Sequence, residues 1–419
     1  MRKAILLCAV FALVLAGCNV EKRNVNSTAE AGSESVYASA PGGEAQKAET
    51  HSHASIPSAP VELKVAPEDR NQAFNIEAVE TDEAFFYVWE KDTEDDTVNL
   101  IYFCPRGGTV FYPLCSKPNC RHNDSNCNAF CGTEIGFYNG SIYTTDFIMH
   151  EGLRVIKMNP DGTNHQIVAT VDPSGGTGSM CFSCTFHHGK LFVFSEPVEW
   201  KMLDEQKYRL IVVNLEDGSQ TDLATAYFDT IEACPYAFFY SKDKLYSEMY
   251  SLEEASTLTE IDSLTGETRS MAIEGTSSFY ATSTTLYYFA DDFSVYGEYA
   301  GSEANESKPG FREYDLTSGA IKDCGLPIED IQSASYDEDY IYATSTYRNN
   351  GSDSTLYLLS RAYEPVDQIE LTDGLGIAAV TSDRIYLYDF VHDTPISYYI
   401  DKTQIGSHNL TLIPIETVD

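Results

Sequence analysis

From about residue 73 onward the chain alternates short apolar-aromatic runs with polar turns. No long segment repeats its apolar residues at a 3.6-residue period, so the pattern predicts strands and not helices. One element, a turn residue followed by a short apolar strand, recurs seven times. Its copies are Asp82 to Tyr87, Asn139 to Tyr143, His188 to Phe192, Lys242 to Tyr246, Ser283 to Tyr287, Glu338 to Tyr342 and Ser382 to Tyr386. Successive copies lie about 41 to 57 residues apart, the range of propeller blades. A second element, a strand ending in an Asp- or Gly-centred turn, follows most copies: Ile156 to Gly162, Val213 to Gly218, Ile261 to Gly266 and Tyr314 to Gly319. Ile101 to Gly107 and Tyr399 to Gly406 are its versions in the first and last units. The sixth unit is degenerate, with Arg361 to Pro365 where the turn should lie.

Each unit supplies about four short antiparallel strands. One such sheet cannot cover its own apolar faces, whereas a closed ring of them can, and it shields the strand edges. The expected fold is therefore all-β: a seven-bladed β-propeller over residues 73–419, with a cysteine-rich loop after the first blade. A strand near Asn409 to Ile415 is expected to close the ring.

The first 72 residues follow a different pattern. Arg2 and Lys3 precede an uncharged apolar run, Ala4 to Leu15, long enough for a signal sequence and shorter than the ~20 residues of a spanning helix. The run ends in Leu15-Ala16-Gly17-Cys18, which resembles the bacterial lipobox. That resemblance implies a signal peptide over residues 1–17, cleavage before Cys18, a lipid on the Cys18 sulfur and an extracytoplasmic, membrane-anchored location. Residues 18–72 are rich in Ser, Ala, Glu, Gly and Pro with few large apolar side chains; such a stretch cannot offset its ordering entropy and reads as a disordered linker. His51 and His53 within it read as solvated.

The formal charge is −37. A surface this acidic repels phosphate backbones, which excludes nucleic acid, and repels anionic headgroups. Membrane attachment then falls to the lipid, with about two acyl chains needed for a stable anchor. Eleven cysteines are present. Apart from Cys8 in the signal and Cys18, they are Cys104, Cys115, Cys120, Cys127, Cys131, Cys181, Cys184, Cys234 and Cys324. Export permits disulfides, but an odd number leaves at least one thiol free or on a metal.

Cys115, Cys120, His122 and Cys127 form a Cys-x4-Cys-x-His-x4-Cys pattern within turn-forming Asn119, Asn123, Asp124 and Asn126. Three thiolates and one imidazole can close a tetrahedral zinc site. Disulfides that also draw on Cys104 or Cys131 are the slightly preferred reading, structural zinc the second and free thiols the third; all three are structural readings in which the segment pins a loop. Cys181 and Cys184 lie three apart before a predicted strand and place their side chains on opposite faces, so packed or paired cysteines are expected there, with His187 and His188 at a turn.

The repeats resemble those of bacterial surface lipoproteins with TolB-like and DUF5050-like propellers, over roughly residues 75–419. Asp262 to Gly266 is also similar to the quinone-enzyme-type repeats of the outer-membrane assembly lipoproteins, but only Trp89 and Trp200 are present and the tryptophan docking pattern of that group is missing. The stretch from Pro113 to Ala129 resembles a cysteine-rich segment near the first blade of surface lipoproteins of anaerobic gut bacteria, a resemblance that implies no particular activity.

The sequence has no Gly-x-Ser-x-Gly elbow, Walker loop, zincin motif, haem-attachment motif or EF-hand loop. Acidic pairs such as Asp291-Asp292 and the Asp337-Glu338-Asp339 run fall in predicted turns, and no catalytic residue is assigned. The expected function is a non-enzymatic, lipid-anchored propeller that serves as a binding or scaffolding platform for an envelope protein, a peptide or a glycan. The alternative is an extracellular glycan-active hydrolase or lyase on the same scaffold.

Overall fold

A computed structural model describes residues 77–418 apart from 93–96, 133, 149–150, 172–179, 198–208, 225–232, 242–243, 252–256, 263–264, 266, 274–275, 291–308, 330, 346–353, 373 and 390–393. All described residues belong to the compact unit Ser55–Asp419. Cys18, His51, His53 and the Asp291-Asp292 pair lie outside them. The protein is a seven-bladed β-propeller. Its strands form seven sheets, each built on a four-stranded antiparallel meander from one continuous stretch of chain, and the first sheet gains a fifth strand from residues 416–417. Blade 1 comprises Ala78–Glu80, Ala84–Asp92, Thr97–Pro105 and Val110–Pro113, and blade 7 comprises Leu375–Val380, Arg384–Asp389, Thr394–Asp401 and Ile413–Pro414. In blades 1 to 6 the first strand packs against the first strand of a neighbour, which places these strands innermost around the ring.

All seven copies of the first sequence element fall on the second strands of the blades. Among the described residues, the turn before these strands is made by one of two chemistries. In blades 2 and 3 the pairs Asn139-Gly140 and His188-Gly189 all have positive φ, between 47° and 72°, the geometry that a two-residue hairpin needs to match strand twist. In blades 1 and 5 a threonine side chain does the work: Thr81 Oγ1 accepts the amides of Glu83 and Ala84 at 3.3 and 3.1 Å, and Thr282 Oγ1 accepts those of Thr284 and Thr285 at 3.3 and 3.0 Å. Asp337 fills this role in blade 6, with Oδ1 accepting the amides of Asp339 and Tyr340 at 2.8 Å. These are Asx- and ST-turns, in which a short polar side chain satisfies backbone donors that the bend leaves open.

The turn between third and outer strands is capped similarly by Asn214 and Asp315, whose Oδ1 atoms each accept the amide two residues on at 2.9 Å. Blade 6 departs from this form as the sequence expects, and the structure gives the reason. Ser360 Oγ caps a tighter bend, accepting Ala362 and Glu364 amides at 3.3 and 3.2 Å, and Tyr363 adopts φ 64°. The bend is held by blade 5: the Tyr363 ring lies 5.2 Å from that of Phe311, and the Arg361 guanidinium stacks over Tyr280 and Tyr287 at 4.2 and 4.4 Å. Cation–π contact and burial thus replace the conformational freedom of a glycine.

Apolar residues on the two faces of each sheet build cores between blades. One runs continuously from Ala78, Phe85 and Leu100 of blade 1 to Ala379, Tyr386 and Tyr399 of blade 7. The seam between these blades is closed in a way the sequence does not reveal. The region Asn409 to Ile415 supplies only the outer strand of blade 7, Ile413–Pro414. A further two-residue strand, Glu416–Thr417, then adds in parallel to the outer edge of blade 1, with Glu416 opposite Val110 and Thr417 opposite Phe111. The Glu416 and Val418 amides donate to the Thr109 and Phe111 carbonyls at 3.0 and 2.9 Å.

Inside the same seam Arg106 Nη1 lies 2.6 Å from Glu80 and 2.9 Å from Asp383, with the Arg106 and Glu80 side chains 9% and 3% exposed. Arg106 Nη2 also donates to the Thr81 carbonyl, and the Glu80 carboxylate accepts the Ser382 amide at 2.9 Å. Arg106 and Glu80 of blade 1 thus each reach a partner on blade 7, Asp383 and Ser382, while the buried Arg106 Nε makes no hydrogen bond to any described residue.

Candidate metal centre

The cysteine-rich segment begins where the outer strand of blade 1 stops short. That strand pairs only with Tyr102 and Phe103 of the third strand, which leaves the edge from Asn99 to Ile101 open. The segment leaves at Leu114, loops outward and returns to fill this edge. Ile101 donates its amide to the Ala129 carbonyl at 2.8 Å, Cys131 donates to Asn99 at 3.1 Å, and Leu114 donates to Ile101 at 2.8 Å. Leu114, Cys127, Ala129 and Cys131 are buried in the blade 1 core. Blade 2 presses on the root of the loop: a Cβ on Gly162, which has φ 73°, would meet the Leu114 carbonyl oxygen at 2.2 Å.

Between these anchors the chain bends twice through left-handed residues, Asn119 at φ 60° and His122 at φ 50°. Asp124 Oδ1 accepts the Asn126 amide at 2.9 Å, and Lys117 Nζ donates to the Asn126 carbonyl across the loop. The bends bring the sulfurs of Cys115, Cys120 and Cys127 and a ring nitrogen of His122 within 4.8 Å of one another. His122 Nδ1 is 3.3 Å from Cys127 Sγ. All three cysteines are free thiols, as are Cys104, Cys131, Cys184 and Cys324. Cys127 is buried and the other three ligand residues are half-buried.

Backbone donors converge on the sulfurs. Cys127 Sγ accepts the Ala129 amide at 3.3 Å. Around Cys115, burial favours the neutral thiol, but hydrogen bonds from the Lys117 and Asn128 backbones and from the neighbouring thiols outweigh it and hold the group below the usual thiol range. Burial pushes Cys127 up to about 12, with the proximity of Cys115 adding to it. The two thiols are thus held in opposite directions, Cys115 below and Cys127 above the ordinary range, as expected of sulfurs crowded together.

The other candidates are not assembled into a site. Cys184 is buried on the innermost strand Met180–His187 of blade 3, and burial followed by the nearby Glu134 raises its thiol well above the ordinary value. Cys131 is raised for the same two reasons, and burial takes Cys104 up to about 11. These are inert, packed thiols. The side chains of Cys181 and Cys234 lie outside the described residues. His187 is buried, and its ring meets that of His188 edge-on at 4.1 Å at the blade 3 turn. In the Asp337-Glu338-Asp339 run, Asp337 is structural: Oδ2 accepts the Tyr342 hydroxyl at 2.6 Å and pairs with Lys402.

One acidic group that the sequence did not single out stands near the start of the innermost strands. Glu77 precedes the first strand of blade 1 and is exposed. The groups packed about its carboxyl, then the like charges of Glu134 and Glu90, push its pKa up to about 7. Glu134 itself is buried, and its Oε2 accepts the Thr145 hydroxyl at 2.6 Å.

No family model matches the chain, and no curated protein matches it. Solved structures share its fold at low identity. The β-propeller domain of the Trilobed protease from Pyrococcus furiosus is similar at 11% identity over 79% of this chain and 94% of that one, with a TM-score of 0.45. An uncharacterized protein, lmo1340, from Listeria monocytogenes EGD-e is similar at 8% identity over 66% of this chain and 80% of that one, TM-score 0.44. TolB from Acinetobacter baumannii is similar at 12% identity over 79% and 80%, TM-score 0.34.

Proposed function

We propose that this protein is a lipid-anchored propeller, fixed to a bacterial membrane through Cys18, that holds an envelope protein, a peptide or a glycan on one face of its ring. The observation that carries this reading is the difference between the two faces. In a meander of four strands, the turns from first to second and from third to outer strand share one end of the blade. The connections from second to third strand, and from one blade to the next, share the other. On the first face the first-to-second turns, such as 81–83, 139–140 and 337–339, are short and fixed by their own hydrogen bonds. The second face receives the second-to-third connections, the longest of which joins the strands Thr285–Ala290 and Gly310–Asp315 of blade 5. A rigid scaffold that gathers its longest loops on one side is the usual design of a binding surface.

The lipobox-like Leu15 to Cys18 sequence and the low-complexity stretch after it support a tethered location, the stretch giving reach above the bilayer. Replacement of Cys18 by serine removes the only acyl acceptor of this scheme. Metabolic fatty-acid labelling should disappear in Cys18→Ser and the chain should leave the membrane fraction; undiminished labelling would refute the anchor.

A glycan-active hydrolase or lyase is the second reading, favoured by Glu77. A carboxyl with pKa about 7 is protonated in part at neutral pH, as a general acid for glycosidic cleavage must be. Release of new reducing ends from envelope polysaccharide by the intact protein, lost in Glu77→Gln, would establish it.

A further inference from the structure

We propose that Cys115, Cys120, His122 and Cys127 bind one zinc ion in a closed, structural site that straps the 114–131 loop to blade 1. The inference is independent of the ligand that the propeller holds.

Geometry is the first support. Zn–S bonds of about 2.3 Å in a tetrahedron put sulfurs roughly 3.8 Å apart. The four donor atoms already lie within 4.8 Å of one another, with the Nδ1-to-Sγ separation at 3.3 Å, so an ion needs only a small contraction. The donor set is the second. Thiolates are soft ligands that select zinc over calcium or magnesium, and three of them with one neutral imidazole fill a tetrahedron without an open position for substrate. The third is the surrounding backbone. Amide groups of Ala129, Lys117 and Asn128 point at the sulfurs of Cys127 and Cys115, the outer-shell arrangement that stabilises metal thiolates. Disulfides would use two of these sulfurs at a time and leave the third sulfur and the imidazole without a role.

Binding displaces the thiol protons to solvent and leaves an S₃N site of net charge −1, with no electron transfer. The strap matters because the returning segment Ala129 to Cys131 fills the open edge of blade 1. The ion ties the outgoing strand end, Cys115, to the start of that return, Cys127.

The test uses the full chain extracted from its own membrane without chelators. Elemental analysis should find zinc equimolar with protein, and Cys115, Cys120 and Cys127 should react with an alkylating agent only after a chelator is added. The bond after Arg121, which is exposed within the loop, should resist trypsin until the chelator is present. His122→Ala and Cys120→Ser should each lose zinc, while Cys324→Ser, remote from the cluster, should keep it. If the variants fold poorly, Co²⁺ exchanged into the unaltered protein gives an independent readout: intense visible d–d bands with thiolate charge transfer at shorter wavelength. Disulfide-linked peptides among the three cysteines with no metal would overturn the proposal. So would iron in place of zinc, full zinc retention in both variants, or a chelator that changes neither alkylation nor cleavage.

Discussion

Phe85 of blade 1 and Tyr386 of blade 7 stack with their ring centroids 4.4 Å apart and their planes 7° from parallel. Phe111 meets the same tyrosine edge-on at 6.0 Å. The first and last blades thus share one aromatic core, and the Arg106 ion cluster and the Glu416–Thr417 strand close over it. Ring closure rests on side-chain burial and buried charge, with a very short backbone latch.

Breaking the charge cluster should therefore open the ring. Arg106→Ala leaves the buried Glu80 carboxylate without its cation, which typically costs about 3–5 kcal/mol. Chemical denaturation should record a loss of that order. The paired change Arg106→Met with Glu80→Gln should cost less than the sum of the two single changes. A silent Arg106→Ala would mean that the cluster does not hold the seam.

Acid should act on the other seam of blade 7. Burial alone would raise the Asp337 pKa, but the Lys402 charge and the hydrogen bonds from Lys402 and Tyr342 outweigh it and depress the carboxyl. The stability it contributes is present at neutral pH, above its unfolded value of about 3.9, and is lost as pH falls through its depressed folded value. Asp337→Asn should flatten the acid limb of a melting-temperature-against-pH curve. Lys402→Met should destabilise at neutral pH by removing the counter-charge.

Two glycines separate backbone strain from crowding. Gly140 and Gly162 have φ of 72° and 73°, but only at Gly162 would a Cβ meet another atom closely, the Leu114 carbonyl at 2.2 Å. Gly140→Ala should cost about 1–2 kcal/mol for the left-handed conformation alone. Gly162→Ala should cost clearly more and should speed trypsin cleavage after Arg121, because Leu114 roots the cysteine loop. Equal losses at the two positions would show that the contact gives way freely.

Glu77 should make the protein less stable as pH rises. Its folded pKa of about 7 exceeds the ordinary 4.5, so between these values the folded state binds more protons than the unfolded state, and stability falls across that window. Solvent access to the side chain keeps the effect modest. Glu77→Gln should remove the slope between pH 5 and 7 and raise the melting temperature at neutral pH; an unchanged slope would assign it to other groups.

Much of the fold was legible because its units repeat. Each apolar-aromatic run that follows a turn residue became a second strand, and Asn139-Gly140 reads directly as a two-residue hairpin. What stayed hidden depends on tertiary context. Glu416–Thr417 is too short to carry a strand pattern, so closure appeared to belong to Asn409 to Ile415. Arg106 and Glu80 look like surface charges in turns until the ring brings Asp383 and Ser382 beside them. Tyr363 gives no sign of its left-handed backbone, since the packing against Phe311 that holds it lies in another blade. For the cysteine segment, sequence showed which residues could be ligands; the choice between zinc and disulfides needs the loop's path, above all its return along Asn99 to Ile101.

Photo-crosslinking of the acylated full chain in its own envelope shows whether one face of the tethered ring holds a partner. A photoreactive residue at Glu151, on the second-to-third connection of blade 2, should give discrete crosslinked species. One at Asp217, in the third-to-outer turn of blade 3 on the opposite face, should give none. Excess purified protein should compete the Glu151 products away. Indiscriminate crosslinking from both positions, or none from Glu151 together with release of reducing ends from envelope glycan, would contradict the platform reading.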